Sequence, residues 1–317
     1  MPPAQAVMLP GFVRIHVSGR DRARFLHNFC TNNVKALQPG AVCEAFFTDV
    51  KARILAHGWV LAAAESLELW MFPGQESALL QHLGRYIITD DVVLRSATVE
   101  SATVAVFGAD PAPLLARCSG GPAALPELNH WREASSDGAS GDEAAIMQLC
   151  WAGTAVYLLA IESSRLDGLR QRLSSVGIPA ADPQAFERLR IRERIPVCGT
   201  DLTTEHLAPE ADRNVSAISY VKGCYLGQEP IARIDALGHV NRSLRAIHCD
   251  AVPEVSLGGT VHLPGTGASG KLTSVCADSD DHGSLGLAVI RTHGLDLSSG
   301  LTVMTSAGEV VPAAVCG

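Results

Sequence analysis

An α+β region over residues 1–242, followed by a small all-β domain over residues 243–317, is the fold class this sequence predicts. Three observations predict it. Strand-length apolar runs alternate with amphipathic helices as far as Arg194, which argues α+β layers with antiparallel pairing. An uncharged run, Ala144 to Ile161, divides at Ala152-Gly153 into two strand-length halves, as a buried hairpin does. Beyond Asn241 short strands are separated by glycine, proline and aspartate turns and end at Val310–Val315, the pattern of a small barrel or sandwich.

The elements follow in order. Phe12 to Val17 reads as a strand, and Ser18 or Asp21 is placed to cap the next helix, which gathers Phe25, Leu26 and Phe29 on one side. Strands recur at Val42–Thr48, Ile54–Ala62 and Leu67–Phe72. Leu79, Leu80, Leu83 and Ile87, spaced by threes and fours, predict a helix over Gln75–Ile88. Asp91–Leu94 and Thr103–Phe107 fit strands, and Pro111–Cys118 a short helix. From Ser119 to Asp142 the composition turns to Gly, Ser, Pro and Ala with few apolar anchors, which predicts an exposed insert. After the hairpin, Ser163–Val176 turns Leu166, Leu169 and Leu173 inward, and Pro183 opens a helix that ends near Arg194. A last helix starts at Gln228-Glu229-Pro230, since proline suits a first turn whose N–H groups have no intrahelical partner.

Composition narrows the function. Apolar residues make up 47% and charged residues 18%, a globular balance. A net charge of −8 opposes binding to a phosphate backbone, and the arginines between Arg188 and Arg194 spread around a helix as a solvated face; no direct nucleic-acid partner is expected. Nine scattered cysteines, no two closer than 13 positions, make no zinc or cluster box, so no metal site is assigned. Such spacing fits reduced cytoplasmic thiols better than a disulfide framework. The run Ala144–Ile161 approaches the length of a membrane span, but Gln148, Gly153, Thr154 and flanking glutamates favour the hairpin. The first residues lack the regions of a signal peptide. The expectation is a soluble, cytoplasmic protein without membrane association.

The chemistry concentrates in Lys222-Gly223-Cys224-Tyr225-Leu226-Gly227-Gln228-Glu229. A thiolate is the reactive form of cysteine, and a nearby cation or helix N-terminus favours it, so Cys224 and Lys222 are the candidate catalytic pair. Gly223 and Gly227 permit a positive φ or a close backbone approach. Tyr225 either stacks on a flat ring or anchors the loop. Gln228 and Glu229 suit a helix start or a ligand equally. Arg233 stands four residues after Glu229, as in a helical ion pair.

The motif, with Ala232-Arg233 and Gly238-His239-Val240-Asn241-Arg242, resembles the signature of the YgfZ family, folate-binding relatives of the glycine-cleavage aminomethyltransferase linked to iron–sulfur cluster assembly or repair. Val17-Ser18-Gly19, Thr31-Asn32-Asn33-Val34, Phe47-Thr48-Asp49, Arg53-Ile54-Leu55 and Arg85-Tyr86-Ile87 are similar to its earlier elements. The resemblance implies a pseudo-symmetric pair of α+β lobes and a C-terminal barrel around a folate-sized hole. It implies tetrahydrofolate or a derivative as cofactor, and cluster-assembly factors or client cluster enzymes, including tRNA-modifying ones, as partners. Tyr225, Gln228, Glu229, Arg233, Glu210, Asn32 and Asp49 are then candidate folate contacts, with Arg233 for the glutamate tail and Glu210 for the pterin. His239 ranks behind Cys224. Asn32 and Asp49 equally suit local turn bonds. Two other functions compete: a tetrahydrofolate-dependent aminomethyltransferase or demethylase, and a non-catalytic scaffold with a decayed cavity. The last is favoured by one departure. Where the family often carries Arg-Ile-Glu-Ala-Gly-Ile-Pro, this chain has Arg190-Ile191-Arg192-Glu193-Arg194-Ile195-Pro196, placing Arg192 where a carboxylate is expected and Glu193-Arg194 in place of Ala-Gly, and leaving Glu193 or Glu210 to meet the pterin. Lys51-Ala52 likewise replaces a glycine turn.

Overall fold

The computed structural model describes residues 2–119, 125–136, 142–250, 258–263, 267–278, 283–291, 300–304 and 308–316. The chain opens with β1 (Gln5–Met8), which joins the second lobe; the first lobe carries β2 (Val13–Ser18), α1 (Arg22–Phe29), β3 (Val42–Thr48), β4 (Ile54–Ala62), β5 (Leu67–Met71), α2 (Glu76–Gly84) and β6 (Val93–Ser96). The second carries β7 (Ser101–Phe107), α3 (Ala112–Cys118), β8 (Trp131–Ser136), β9 (Asp142–Trp151), β10 (Thr154–Glu162) and α4 (Leu166–Ser175). Two five-stranded antiparallel sheets result, ordered β3-β4-β5-β2-β6 and β1-β7-β10-β9-β8.

The wiring is the same in both: a strand, a helix, a three-stranded meander, a helix, and an edge strand beside the first strand. In the first sheet that edge is β6; in the second it is β1, supplied from the N-terminus. The sequence reading missed β1. Its four residues, with prolines at positions 3 and 10 nearby, are too short for a periodic signal.

The sheets pack face to face, with helices outside. On β4 and β5, Val60, Leu69 and Met71 face α1 and α2, while Trp59, Leu61 and Trp70 face the other sheet. On β10, Val156 and Leu158 meet that shared core, and Tyr157 and Leu159 turn outward toward α4, which buries Leu169 and Leu173. Strands covered on both faces read as continuous apolar runs, which is why Ala144–Ile161 resembles a membrane span in sequence. It is the β9–β10 hairpin, with Trp151 opposite Thr154 and φ of 46° and 74° at Ala152 and Gly153, the doubly positive pair of a type I′ turn. No helix among the described residues is long and apolar enough to cross a membrane.

Two local expectations are corrected. Residues 119–142 are not wholly exposed loop, because Trp131–Ser136 forms edge strand β8 with Trp131 buried and its indole N–H donating to Ala62 O at 2.8 Å; residues 120–124 and 137–141 lie outside the described residues. Asp21 precedes α1 without a side-chain cap, since its carboxylate instead accepts from Asp91 N–H at 2.9 Å and pairs with Arg24.

Helix α5 (Pro183–Arg192) leaves the second lobe and leans on the barrel. Buried Arg190 donates to Asp201 at 2.9 Å and to Ser274 on the barrel at 2.6 Å. Short α6 (Asn214–Ala217) and then α7 (Gln228–Leu237) follow. The closed barrel comprises β11 (Arg242–Cys249), β12 (Thr260–Leu263), β13 (Gly267–Asp278), β14 (Gly283–Arg291), β15 (Leu301–Met304) and β16 (Val310–Val315).

Candidate functional site

The polar motif joins α6 to α7 and lies along the first lobe. Ser219 N–H donates to Thr31 O at 2.9 Å, Leu226 N–H to Asn28 O at 2.8 Å, and the Thr48 hydroxyl to Leu226 O at 3.0 Å. Lys222 drives its ammonium into the end of α1, donating to the carbonyls of His27 (2.5 Å), Cys30 (2.7 Å) and Asn32 (3.0 Å), with the Tyr225 ring 4.5 Å away. A cation suits this place because a helix C-terminus presents unpaired carbonyls and partial negative charge. Burial lowers the Lys222 pKa, opposed by the Cys30 and Cys43 thiols. Burial raises that of Tyr225 to about 12. Lys222 has no hydrogen bond to Cys224, whose thiol is exposed. The Tyr225 ring packs, partly buried, on the core cluster that holds Phe46, Ile54 and Ile231.

Gly227 begins α7 at φ 84°, and a Cβ there would stand 2.5 Å from Asp49 O and 2.7 Å from the Thr48 hydroxyl. Glycine is required on both counts. Gly223 is not so constrained, as the nearest atom to its Cβ position is His27 Nε2 at 3.9 Å. Gln228 accepts from Tyr225 N–H at 3.1 Å and fastens the turn. Glu229 and Arg233 are exposed, and among the described residues neither has an ion-pair partner, so the helical pair suggested by their spacing does not form. His239 is exposed and faces Leu237 O.

A second feature is a cavity of about 410 Å³ between the lobes. Residues 129–131 bridge the sheets: Val42 N–H donates to Asn129 O and Asn129 N–H to Gln148 O, so the edges of β3 and β9 are held one strand apart. Beside this bridge the cavity opens. Trp59 and Trp151, stacked with centroids 5.9 Å apart, contribute one wall from each lobe. The charged lining is Glu44, Glu193 and Arg213. Arg213 forks onto buried Glu44, with Nη2 to Oε2 at 2.8 Å and Nε to Oε1, and donates from Nη1 to Glu193 O at 2.7 Å. Its guanidinium stands 3.4 Å from the Glu193 carboxylate. His57 reaches Glu44 from behind at 2.7 Å. Burial alone would raise the Glu44 pKa; the bonds from His57 and Arg213 outweigh it and hold it at about 2.

Arg192 and Arg194 do not reverse the charge of this cavity. Arg192 turns to Asp278 on the barrel, 2.9 Å away, and Arg194, at φ 58°, stands 3.5 Å from Asp212. That turn brings Glu193 to the lining, where its Oε2 accepts from Ala152 N–H at 2.8 Å. Glu210 does not line the cavity. It is buried, accepting from Leu207 N–H and Arg242 Nε at 2.9 Å each. Asn32 joins α6 to β3 by donating to Glu44 O (2.8 Å) and Ser216 O (3.0 Å). Asp49 closes its own turn, accepting from Lys51 and Arg53 N–H groups.

Glu44, His57, Arg213 and the tryptophan pair escaped the sequence reading. A signal existed for two of them. Glu44 and His57 are polar residues inside runs otherwise covered on both faces, and a buried charge demands a partner.

The family model described as GCVT N-terminal domain matches residues 9–216, both lobes and the cavity, ending before the Lys222–Glu229 motif. The chain is 28% identical over 300 residues to a protein of Arabidopsis thaliana named as a chloroplastic putative transferase, covering 94% of this chain and 67% of that one. It is 21% identical over 247 residues to the tRNA-modifying protein YgfZ of Colwellia psychrerythraea, covering 77% and 71%. Glycine cleavage system aminomethyltransferase T from Bartonella henselae has the same fold, with a TM-score of 0.85 over 99% of this chain and 85% of that one, at 15% identity. The chain belongs to the GCVT N-terminal domain family, as a YgfZ-like member.

Proposed function

We propose that this protein binds a reduced folate in the cavity between its lobes and supports iron–sulfur cluster assembly or repair, with Cys224 as its reactive group and tRNA-modifying cluster enzymes among its clients. The observation that carries the folate half is the Glu193–Arg213 pair on the wall of a 410 Å³ cavity. That volume lies within the roughly 300–1,000 Å³ range of small-molecule sites. A pterin offers adjacent N–H donors on a flat ring, and Glu193 supplies an acceptor that Arg213 and Ala152 N–H hold in place. Trp59 and Trp151 supply apolar surface beside it. Glu44 also lines the wall, but it is fully engaged by His57 and Arg213 and serves to hold Arg213. When bound, a reduced folate supplies secondary amines able to take up a one-carbon unit.

The thiol half rests on the loop. Cys224 is exposed beside a helix start, on a segment pinned by Lys222, Thr48 and Gln228. Such a thiol is accessible to a partner protein while its backbone stays fixed. The test is complementation. Cells lacking this protein should lose cluster-enzyme activity and recover it with wild type but not with Cys224→Ala. Full rescue by Cys224→Ala would remove the thiol from the function, leaving the folate half to be judged by ligand binding.

A further inference from the structure

One member of the chain His57–Glu44–Arg213 does not line the cavity. The His57 side chain, on β4, is wholly buried between the rings of Phe46 and Trp59, with centroids 4.7 Å and 5.9 Å away. Its backbone N–H is held by the buried Gln75 side chain at 2.6 Å, and Gln75 in turn donates to Phe72 O. The residue is held at its backbone, and its ring is wedged between two others.

Its tautomer follows from Glu44. An ionised carboxylate only accepts, so the His57 Nε2 at 2.7 Å carries the hydrogen and donates it. The other ring nitrogen, Nδ1, is buried with no partner among the described residues. Glu44 Oε1 thus receives His57 and Arg213 Nε, and Oε2 receives Arg213 Nη2. A two-pronged carboxylate–guanidinium contact sets both planes together. The remaining Arg213 prong reaches the Glu193 carbonyl, and its guanidinium faces the Glu193 carboxylate. Remove the His57 donor, and Glu44 is held only by the group it is meant to orient.

We propose that His57 is a positioning residue for the cavity: through Glu44 it sets the plane of Arg213, and through Arg213 the direction in which the Glu193 carboxylate meets a ligand. The inference deepens the folate reading and rests on it for the identity of that ligand. The relay itself is open to measurement without one.

His57→Phe keeps a ring of similar shape and removes the donor. Tetrahydrofolate binding should weaken about tenfold, the scale of one hydrogen bond to a charged group. His57→Gln, whose amide N–H reaches as far as Nε2, should restore most of it. The pH profile separates orientation from mere support of the fold. The titratable and charged groups facing Glu44 are His57 from β4, Arg213 ahead of α6, Glu193 behind Arg213, and Cys43 beside it on β3. Wild type, its Glu44 held ionised by a pKa of about 2, should lose no affinity through Glu44 between about pH 5 and 8. His57→Phe, its buried Glu44 left with one partner, should lose affinity progressively toward the acid end. Unchanged affinity and pH profile in His57→Phe would overturn the proposal. Failure of wild type to bind would reject the folate reading instead. In that case the relay is decided by the Arg213 Nε–H resonance: sharp in wild type and His57→Gln, broadened in His57→Phe, with identical spectra in all three overturning it.

Discussion

Lys222 holds the carbonyl of Cys30 at 2.7 Å, closing the end of α1 with a residue that comes almost two hundred positions later. A lysine two residues before an exposed cysteine suggests thiol activation, but its three carbonyl partners and the Tyr225 ring give it a different role, that of fixing the loop that presents the thiol. Lys222→Met should therefore destabilise the fold by about 1–3 kcal/mol, the cost of leaving buried carbonyls without their charged donor. Lys222→Arg should not restore it, because a planar fork does not reproduce a three-way ammonium contact. Denaturant unfolding of the three proteins checks both.

The two glycines of the motif should behave differently. Gly227→Ala meets a positive φ and a backbone oxygen at 2.5 Å, and should cost about 1–3 kcal/mol, the scale of enforced backbone strain. Gly223→Ala should stay within about 0.5 kcal/mol of wild type, as exposed substitutions do. Equal losses in thermal unfolding would contradict this reading of the loop.

Stability should fall in two successive acid windows that overlap only slightly. Burial, with nearby Lys222, lowers His27 from its ordinary 6.5 to about 4. Between those values the unfolded chain binds the proton and the native one does not, so stability falls as pH drops from 6.5 to 4. Glu44, held at about 2 against an ordinary 4.5, contributes stability that is complete above 4.5 and lost as pH falls through about 2. His27→Gln should flatten the first window and leave the second, as unfolding followed across the acid range would show.

Arg192 and Glu193 are neighbours in sequence with opposite destinations. Arg192→Ala removes a contact to Asp278 on the barrel and should leave ligand affinity unchanged, while Glu193→Gln should weaken it about tenfold or more, as loss of a charged acceptor does. Isothermal titration of both variants checks the assignment.

Much of the fold was legible because its elements obey simple periods. The β9–β10 hairpin announced itself through Ala152-Gly153, the α7 start through Gln228-Glu229-Pro230, and the barrel through its turn residues. β1 and β8 were hidden, being short edge strands whose pairing is decided by partners distant in sequence. The motif was legible, but the use of its lysine was not, since three carbonyls at the end of α1 leave no trace near residue 222. The cavity was the least legible part. Arg192 and Arg194 looked like a reversal of its charge because residue order says nothing of where a side chain turns beside a left-handed residue at the end of a helix.

Thermal unfolding in the presence of tetrahydrofolate tests the central claim most directly. A ligand that binds only the native state stabilises it by about 2.7 kcal/mol at one hundred times its Kd. Wild type should show a concentration-dependent rise in Tm, and Glu193→Gln a rise shifted to at least about tenfold higher ligand, the scale of a lost charge-assisted hydrogen bond. A wild-type Tm that stays constant up to saturating tetrahydrofolate would contradict the account.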